Sequence, residues 1–267
     1  MLAAVGRAAI GSATNVGALA IQLWRSVLRL PAALPVVGHR RRWRTAVQQM
    51  MAIGVSALPV VALMSFCLGF VASLQAAAEL RRYGATRYVV EFTAIAFTRE
   101  LGALITAVAV AGRSASAIAA EVSTMVVSQE VDALTVMGLD PIDFTLAQKY
   151  LGALVTLPCL TILSMVFGIA AGYCFLAASI EMTVRAFVRD ALAAIMLRDL
   201  VLTLIKSLLF ATIVVHVGYM EGLRVSGGPE AVGRGTTAAV VKATFFVILT
   251  DLAATALFYA MGWSAAG

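Results

Sequence analysis

Two adjacent charges stand inside an otherwise apolar stretch. From Tyr88 to about Ala120 the chain is hydrophobic, yet Arg99, Glu100 and Arg113 interrupt it. If a membrane helix starts near Tyr88, a rise of about 1.5 Å per residue puts Arg99 and Glu100 ~17 Å deep, near the bilayer centre. A charge there costs roughly 2.5–3.5 kcal/mol, so such residues face a protein interior or a wet cavity and mark a functional site by default. Lys206 and Asp251 interrupt two later apolar stretches in the same way. The chemistry open to this set is noncovalent: holding a polar group inside a membrane. The competing reading is a structural ion pair of the Arg99-Glu100 pair with Lys206 or Asp251, or a Lys206 stem that snorkels to the interface. Neighbouring helical residues differ by ~100° in direction, so Arg99 and Glu100 cannot share one partner.

Covalent chemistry has no comparable support. His39 and His216 are far apart and make no metal cluster, and no Ser/His/Asp set suggests itself. Cys67, Cys159 and Cys174 lie in apolar stretches without a CxxC and read as small packing residues. No G-x-x-x-x-G-K-[ST] loop is present to cradle ATP phosphates. The chain is therefore expected to be a non-enzyme with no cofactor of its own.

The elements that must position these charges follow from composition. Hydrophobic residues make up 61% of the 267 and charged residues 13%, against ~25% charged in soluble domains. Mean hydropathy is +0.95. Such a chain cannot cover a water-facing surface, so the expected class is an all-α polytopic membrane protein. Five spans are read at about 46–78, 88–120, 150–180, 200–220 and 237–263. Between them, 79–87 is a polar connection, 121–143 leaves the membrane, 181–199 reads as a surface helix and 221–235 as a Gly-rich loop. Residues 1–45 hold seven arginines and no acid. That cluster reads as a cytoplasmic topogenic signal facing anionic lipid rather than a nucleic-acid surface. The segment is expected to form an interfacial helix and linker, ended by Pro31 and Pro35. A cytoplasmic N-terminus makes the 121–149 and 221–235 segments internal. Gly168/Gly172 and Gly218/Gly222 each fit GxxxG and point to close helix approach.

Residues 98–141 carry a connected set of motifs. Thr98-Arg99-Glu100-Leu101-Gly102 is followed by Ala111-Gly112-Arg113 and Ala117-Ile118-Ala119-Ala120-Glu121. Thr124-Met125, Glu130-Val131-Asp132-Ala133-Leu134 and Val136-Met137-Gly138-Leu139-Asp140-Pro141 complete it. A second group is Gly227-Gly228, Val232-Gly233-Arg234, Thr236-Thr237 and Ala239-Val240-Val241. Over roughly 45–263 the chain resembles the MlaE/YrbE permeases, membrane subunits of ABC transporters that work with MCE-domain lipid carriers. It departs at Val126, Ser128-Gln129-Glu130, His216 and Gly235, where Lys, Thr-Glu-Gln, Cys and Ala are more usual.

The resemblance implies an interfacial N-terminal helix over 1–45, a permease domain over 46–267 with five transmembrane helices, and a cytoplasmic coupling helix at about 121–139. That helix would dock on a separate ATPase through Glu130, Asp132, Leu134 and Met137. Its apolar stripe is expected to be Val122, Met125, Val126, Leu134 and Met137. ATP and Mg would bind on the partner. The implied assembly is a homodimer with two ATPase subunits, a periplasmic MCE-domain oligomer and a STAS-domain protein in the bacterial inner membrane. The implied substrate is phospholipid, and the resemblance implies that Arg99, Glu100 and Lys206 line the lipid cavity, with Tyr83 near its mouth. Another hydrophobic substrate, such as a sterol or an organic solvent, is the alternative; an ion-coupled secondary transporter is a more distant one.

Overall fold

The computed structural model describes residues 47–138, 141, 145–180 and 182–262. The N-terminal interfacial helix expected within 1–45 lies outside the described residues. Seven helices follow in chain order: α1 (Val47–Arg82), α2 (Val89–Val127), α3 (Glu130–Val136), α4 (Ala147–Ile180), α5 (Val184–Ala194), α6 (Leu197–Leu223) and α7 (Pro229–Ala260). No strand occurs among the described residues. Helices α1, α2, α4, α6 and α7 are long and apolar enough to cross a membrane. The expected all-α polytopic architecture with five spans is the one observed.

The spans run alternately. One end of the bundle carries the α1–α2 turn and α5; the other carries α3. Helices α2 and α6 form the centre, while most of α1 and α7 is exposed. Ala103, Ala107, Ala111, Ala115 and Ala119 of α2 are all buried. A spacing of four keeps them on one side of the helix, which drifts slowly with a 3.6-residue turn. Without side-chain bulk there, the neighbouring helices can approach closely. Ala239, Ala243 and Val247 form the matching stripe on α7.

Both GxxxG pairs sit at crossings. A Cβ on Gly218 would meet the Ala115 backbone, and one on Gly222 would meet Val122, so this pair brings α6 against α2. Gly168 lies against the ring of Phe97 and the backbone of α1 at Gly69. A backbone cannot rotate away, so an added methyl overpacks the crossing, at a cost of ~1–3 kcal/mol or more. Gly69→Ala and Gly168→Ala are expected to lower the thermal unfolding midpoint of the purified protein. Gly233→Ala on α7, which faces open space, should leave it unchanged or raise it slightly.

Three segments differ from expectation, each for a local reason. The fifth span starts at Pro229 rather than near 237, because Pro suits a first helical turn and Gly227 takes the positive φ of 114° that the preceding turn needs. The Gly-rich loop is thereby reduced to the few residues after Leu223. The expected coupling helix over 121–139 is divided: Glu121 to Val127 continue α2, and only Glu130–Val136 forms α3. Gln129, at φ 60°, makes the break. The three cysteines are all exposed on the outer faces of the spans, not packed inside.

Helix α2 contains two π-helical turns, Phe97–Leu101 and Ala111–Ala115. Each widens the backbone by one residue, a feature frequent at functional sites. The first carries Arg99 and Glu100. The second carries Arg113, whose Nη1 donates to the Ser56 carbonyl at 2.7 Å. That carbonyl lies outside the regular ladder because α1 is interrupted at Ser56–Ala57 and its hydrogen bonds resume with the Val61 N–H donating to the Ala57 carbonyl.

Candidate functional site

The intramembrane charges converge from three helices. Lys206 of α6 is 2% exposed, and its Nζ donates to Glu100 Oε2 at 2.6 Å, Asp251 Oδ1 at 3.0 Å and Thr255 Oγ1 at 2.7 Å. An ammonium has three protons, so its donors are fully committed. Thr255 in turn donates to the Glu100 carboxylate at 3.0 and 3.2 Å. Arg99 Nε donates to Asp199 Oδ2 at 2.8 Å. The two adjacent residues of α2 therefore meet different partners, as their helical directions require.

Two of these partners were not singled out from sequence: Asp199 and Thr255. Spacing carries the signal. Asp199 lies seven residues before Lys206, two turns along one face of α6, and Thr255 lies four after Asp251 on α7. Tyr83 lies apart from the cluster. It caps the end of α1 and is 81% exposed.

The depth expected for Arg99 and Glu100 also changes. With 39 residues, α2 is ~58 Å long at 1.5 Å per residue, well beyond a ~30 Å hydrocarbon core. Arg99 meets Asp199, which lies in the first turn of α6. The cluster thus occupies the half of the bundle nearer α5, because the start of α2 extends past the start of α6.

The charges are unequally accessible. Side chains of Lys206 and Asp199 are almost wholly buried, at 2% and 5%, and Asp251 at 13%. Arg99 and Glu100 are about one-third exposed, at 33% and 37%. Glu100 belongs to two spaces at once. On one side it joins Arg99, Asp199, Lys206 and Thr255 around a narrow pocket. On the other it closes a cleft of about 620 Å³ between α1 and the start of α2. Ala76, Leu80, Phe92, Ala96 and Leu101 make the apolar wall of that cleft, and Gln75, Glu79 and Glu100 are its polar members. Its volume falls within the ~300–1,000 Å³ usual for small-molecule sites.

A second ionic group closes the α3 end. Lys149, 2% exposed, pairs with Glu121. Glu221 accepts from Lys242 at 2.6 Å and Arg224 at 2.9 Å. Of the residues assigned to partner docking, Leu134 is buried and anchors α3, and Val122 is in the core. Glu130 and Asp132 are exposed, Met137 is 65% exposed, and Val136, absent from the expected stripe, is 88% exposed. Residues three and four apart share a helix face, and that logic alone does not reveal which side of a seven-residue helix is covered.

Five apolar spans around an amphiphilic internal site are the anatomy of a membrane permease. The Permease MlaE family model matches residues 46–257. The chain belongs to the MlaE family of ABC transporter permeases. Similar proteins include one named Probable ABC transporter permease protein from Rickettsia typhi, 30% identical over 258 residues and 96% of each chain. Protein TRIGALACTOSYLDIACYLGLYCEROL 1, chloroplastic, of Arabidopsis thaliana is 31% identical over 241 residues, 89% of this chain and 69% of that one. A Synechocystis protein also named Probable ABC transporter permease protein is 32% identical over 218 residues, 82% of this chain and 83% of that one.

Proposed function

We propose that this permease moves phospholipid between the inner and outer membranes of a Gram-negative envelope, together with an MCE-domain carrier, and so maintains outer-membrane lipid asymmetry. One observation carries the reading: Glu100 is a shared wall between a cluster of charges and an apolar cleft. A headgroup and an acyl chain need those two environments side by side. A sterol or an organic solvent has no charge for that wall to meet. The glycerolipid in the Arabidopsis relative's name supports a lipid substrate.

In this reading the chain is a homodimer in the inner membrane, with its N-terminus and α3 in the cytoplasm. Two ATPase subunits bind ATP and Mg and dock on α3. An MCE oligomer meets the α5 end, and a STAS-domain protein completes the assembly. Lys206 has all three protons engaged, so its role is to hold Glu100 and Asp251, and Arg99 is the cation that meets the phosphate.

The test is lipid extraction and mass spectrometry of the purified chain. Phospholipid is expected to copurify with the unmodified protein. Ala96→Trp fills the cleft without removing a member of an ion pair and should displace most of it at unchanged protein yield. Bound phospholipid unchanged by Ala96→Trp overturns the cleft as its site.

A further inference from the structure

We infer that the cleft selects zwitterionic phospholipids whose headgroup ends in a primary ammonium, and discriminates against headgroups with net negative charge. The inference rests on the reading of the cleft as a phospholipid site and names the headgroup it takes.

Three observations point the same way. First, the ionisable side chains that line the cleft are Glu79 and Glu100, both carboxylates, and no Lys or Arg lines it. Second, the ion cluster behind Glu100 holds three carboxylates, Glu100, Asp199 and Asp251, against two cations, Arg99 and Lys206. With all five ionised, the cluster carries one uncompensated negative charge. Third, the accessible members of that cluster are one charge of each sign. Arg99 and Glu100 are each about one-third exposed, while Lys206 and Asp199 are buried.

A headgroup with a phosphate and a terminal ammonium complements this arrangement group for group. The Arg99 guanidinium, in the narrow pocket that adjoins the cleft at Glu100, suits the phosphate, and the Glu100 carboxylate accepts short, charge-assisted bonds from the ammonium. Glu79 gives the cleft a second negative site. It pairs with Arg82 at 3.4 Å, but both side chains are more than 60% exposed and the pair is weak. A headgroup with no ammonium offers Arg99 the same phosphate but leaves the Glu79 and Glu100 carboxylates of the cleft without a cationic partner and adds uncompensated negative charge beside them. Like charge at this range, away from bulk water, is repulsive.

The purified full-length chain is reconstituted into vesicles of equal parts phosphatidylethanolamine and phosphatidylglycerol, re-extracted in mild detergent, and its bound lipid measured by mass spectrometry. Phosphatidylethanolamine is expected to be enriched about tenfold over the vesicle ratio, equivalent to ~1.4 kcal/mol. Glu100→Gln removes one charge while keeping an oxygen for Lys206, and should move the ratio toward unity. Glu79→Gln, in the exposed last turn of α1 and outside the ion cluster, should lower the ratio without disturbing the fold. Bound lipid at the vesicle ratio, enrichment of phosphatidylglycerol, or a ratio unmoved by both substitutions overturns the selectivity while leaving a phospholipid site in place. Absence of any bound phospholipid overturns both.

Discussion

Lys206→Met is expected to destabilise the permease by ~3–5 kcal/mol, the usual cost of removing one member of a buried ionic group. The reason is what stays behind. Glu100, Asp251 and Thr255 all direct oxygens at one Nζ. Without it, two carboxylates share a desolvated pocket with no cation between them. Methionine fills similar volume, so the loss measures charge and not a cavity. Lys206→Arg should recover only part of the stability, because a planar fork cannot place three donors where a tetrahedral ammonium does. Adding Glu100→Gln and Asp251→Asn to Lys206→Met should restore much of it, since the neutral set leaves no orphaned charge. Thermal unfolding of the purified protein in detergent reads all of these. A single Lys206→Met variant as stable as the parent would show that the network contributes nothing to the fold.

The second large effect is expected at the opposite end. Val136→Asp should reduce ATP-driven transport more than ~30-fold, the scale of a ~2 kcal/mol interface hot spot. Val136 is 88% exposed on a short helix whose buried Leu134 holds it to the bundle. An apolar side chain so placed has no role inside the monomer, and an ABC permease requires a separate ATPase surface. Asp132→Lys, which reverses an exposed charge on the same helix, should act in the same direction more weakly. Both variants should keep the parent's thermal stability and bound lipid. Reconstitution with the cognate ATPase, measuring hydrolysis and lipid transfer together, checks this. Transport at the parent's rate in Val136→Asp would place the docking surface elsewhere. Leu134→Asp is a poor probe, because Leu134 is buried and its loss unseats α3 itself.

The number of spans and the intramembrane charges were legible because both rest on cost. Long uncharged stretches and isolated charges leave few structural options in a bilayer. The pairing of Glu100 with Lys206 followed from the need to compensate buried charge. Arg99's partner was harder to see: Asp199 falls in the segment assigned to the surface, and only the overshoot of α2 past α6 brings the two together. Helix ends were misplaced where one residue decides them. Pro229 starts α7 early, and Gln129 ends α2 late by adopting a left-handed backbone that favours glycine. The cysteines were misjudged because apolar surroundings in sequence do not separate a core face from a lipid face when both are hydrophobic.

Helix α2 is a shaft with two cams. One cam is the Arg99–Glu100 pair, aimed at α6 and α7; the other is the Glu121–Val122 end, which meets Lys149 and Gly222 next to α3. Between them lies the turn at Ala111–Ala115, which holds one residue more than a regular turn of α-helix. A wide turn takes up its extra residue within one revolution, so the helix on either side keeps its facing. The added length is therefore confined to five residues that touch neither the cleft nor α3. A deletion of one residue there would close the turn into ordinary helix and leave both ends of the shaft facing the same neighbours.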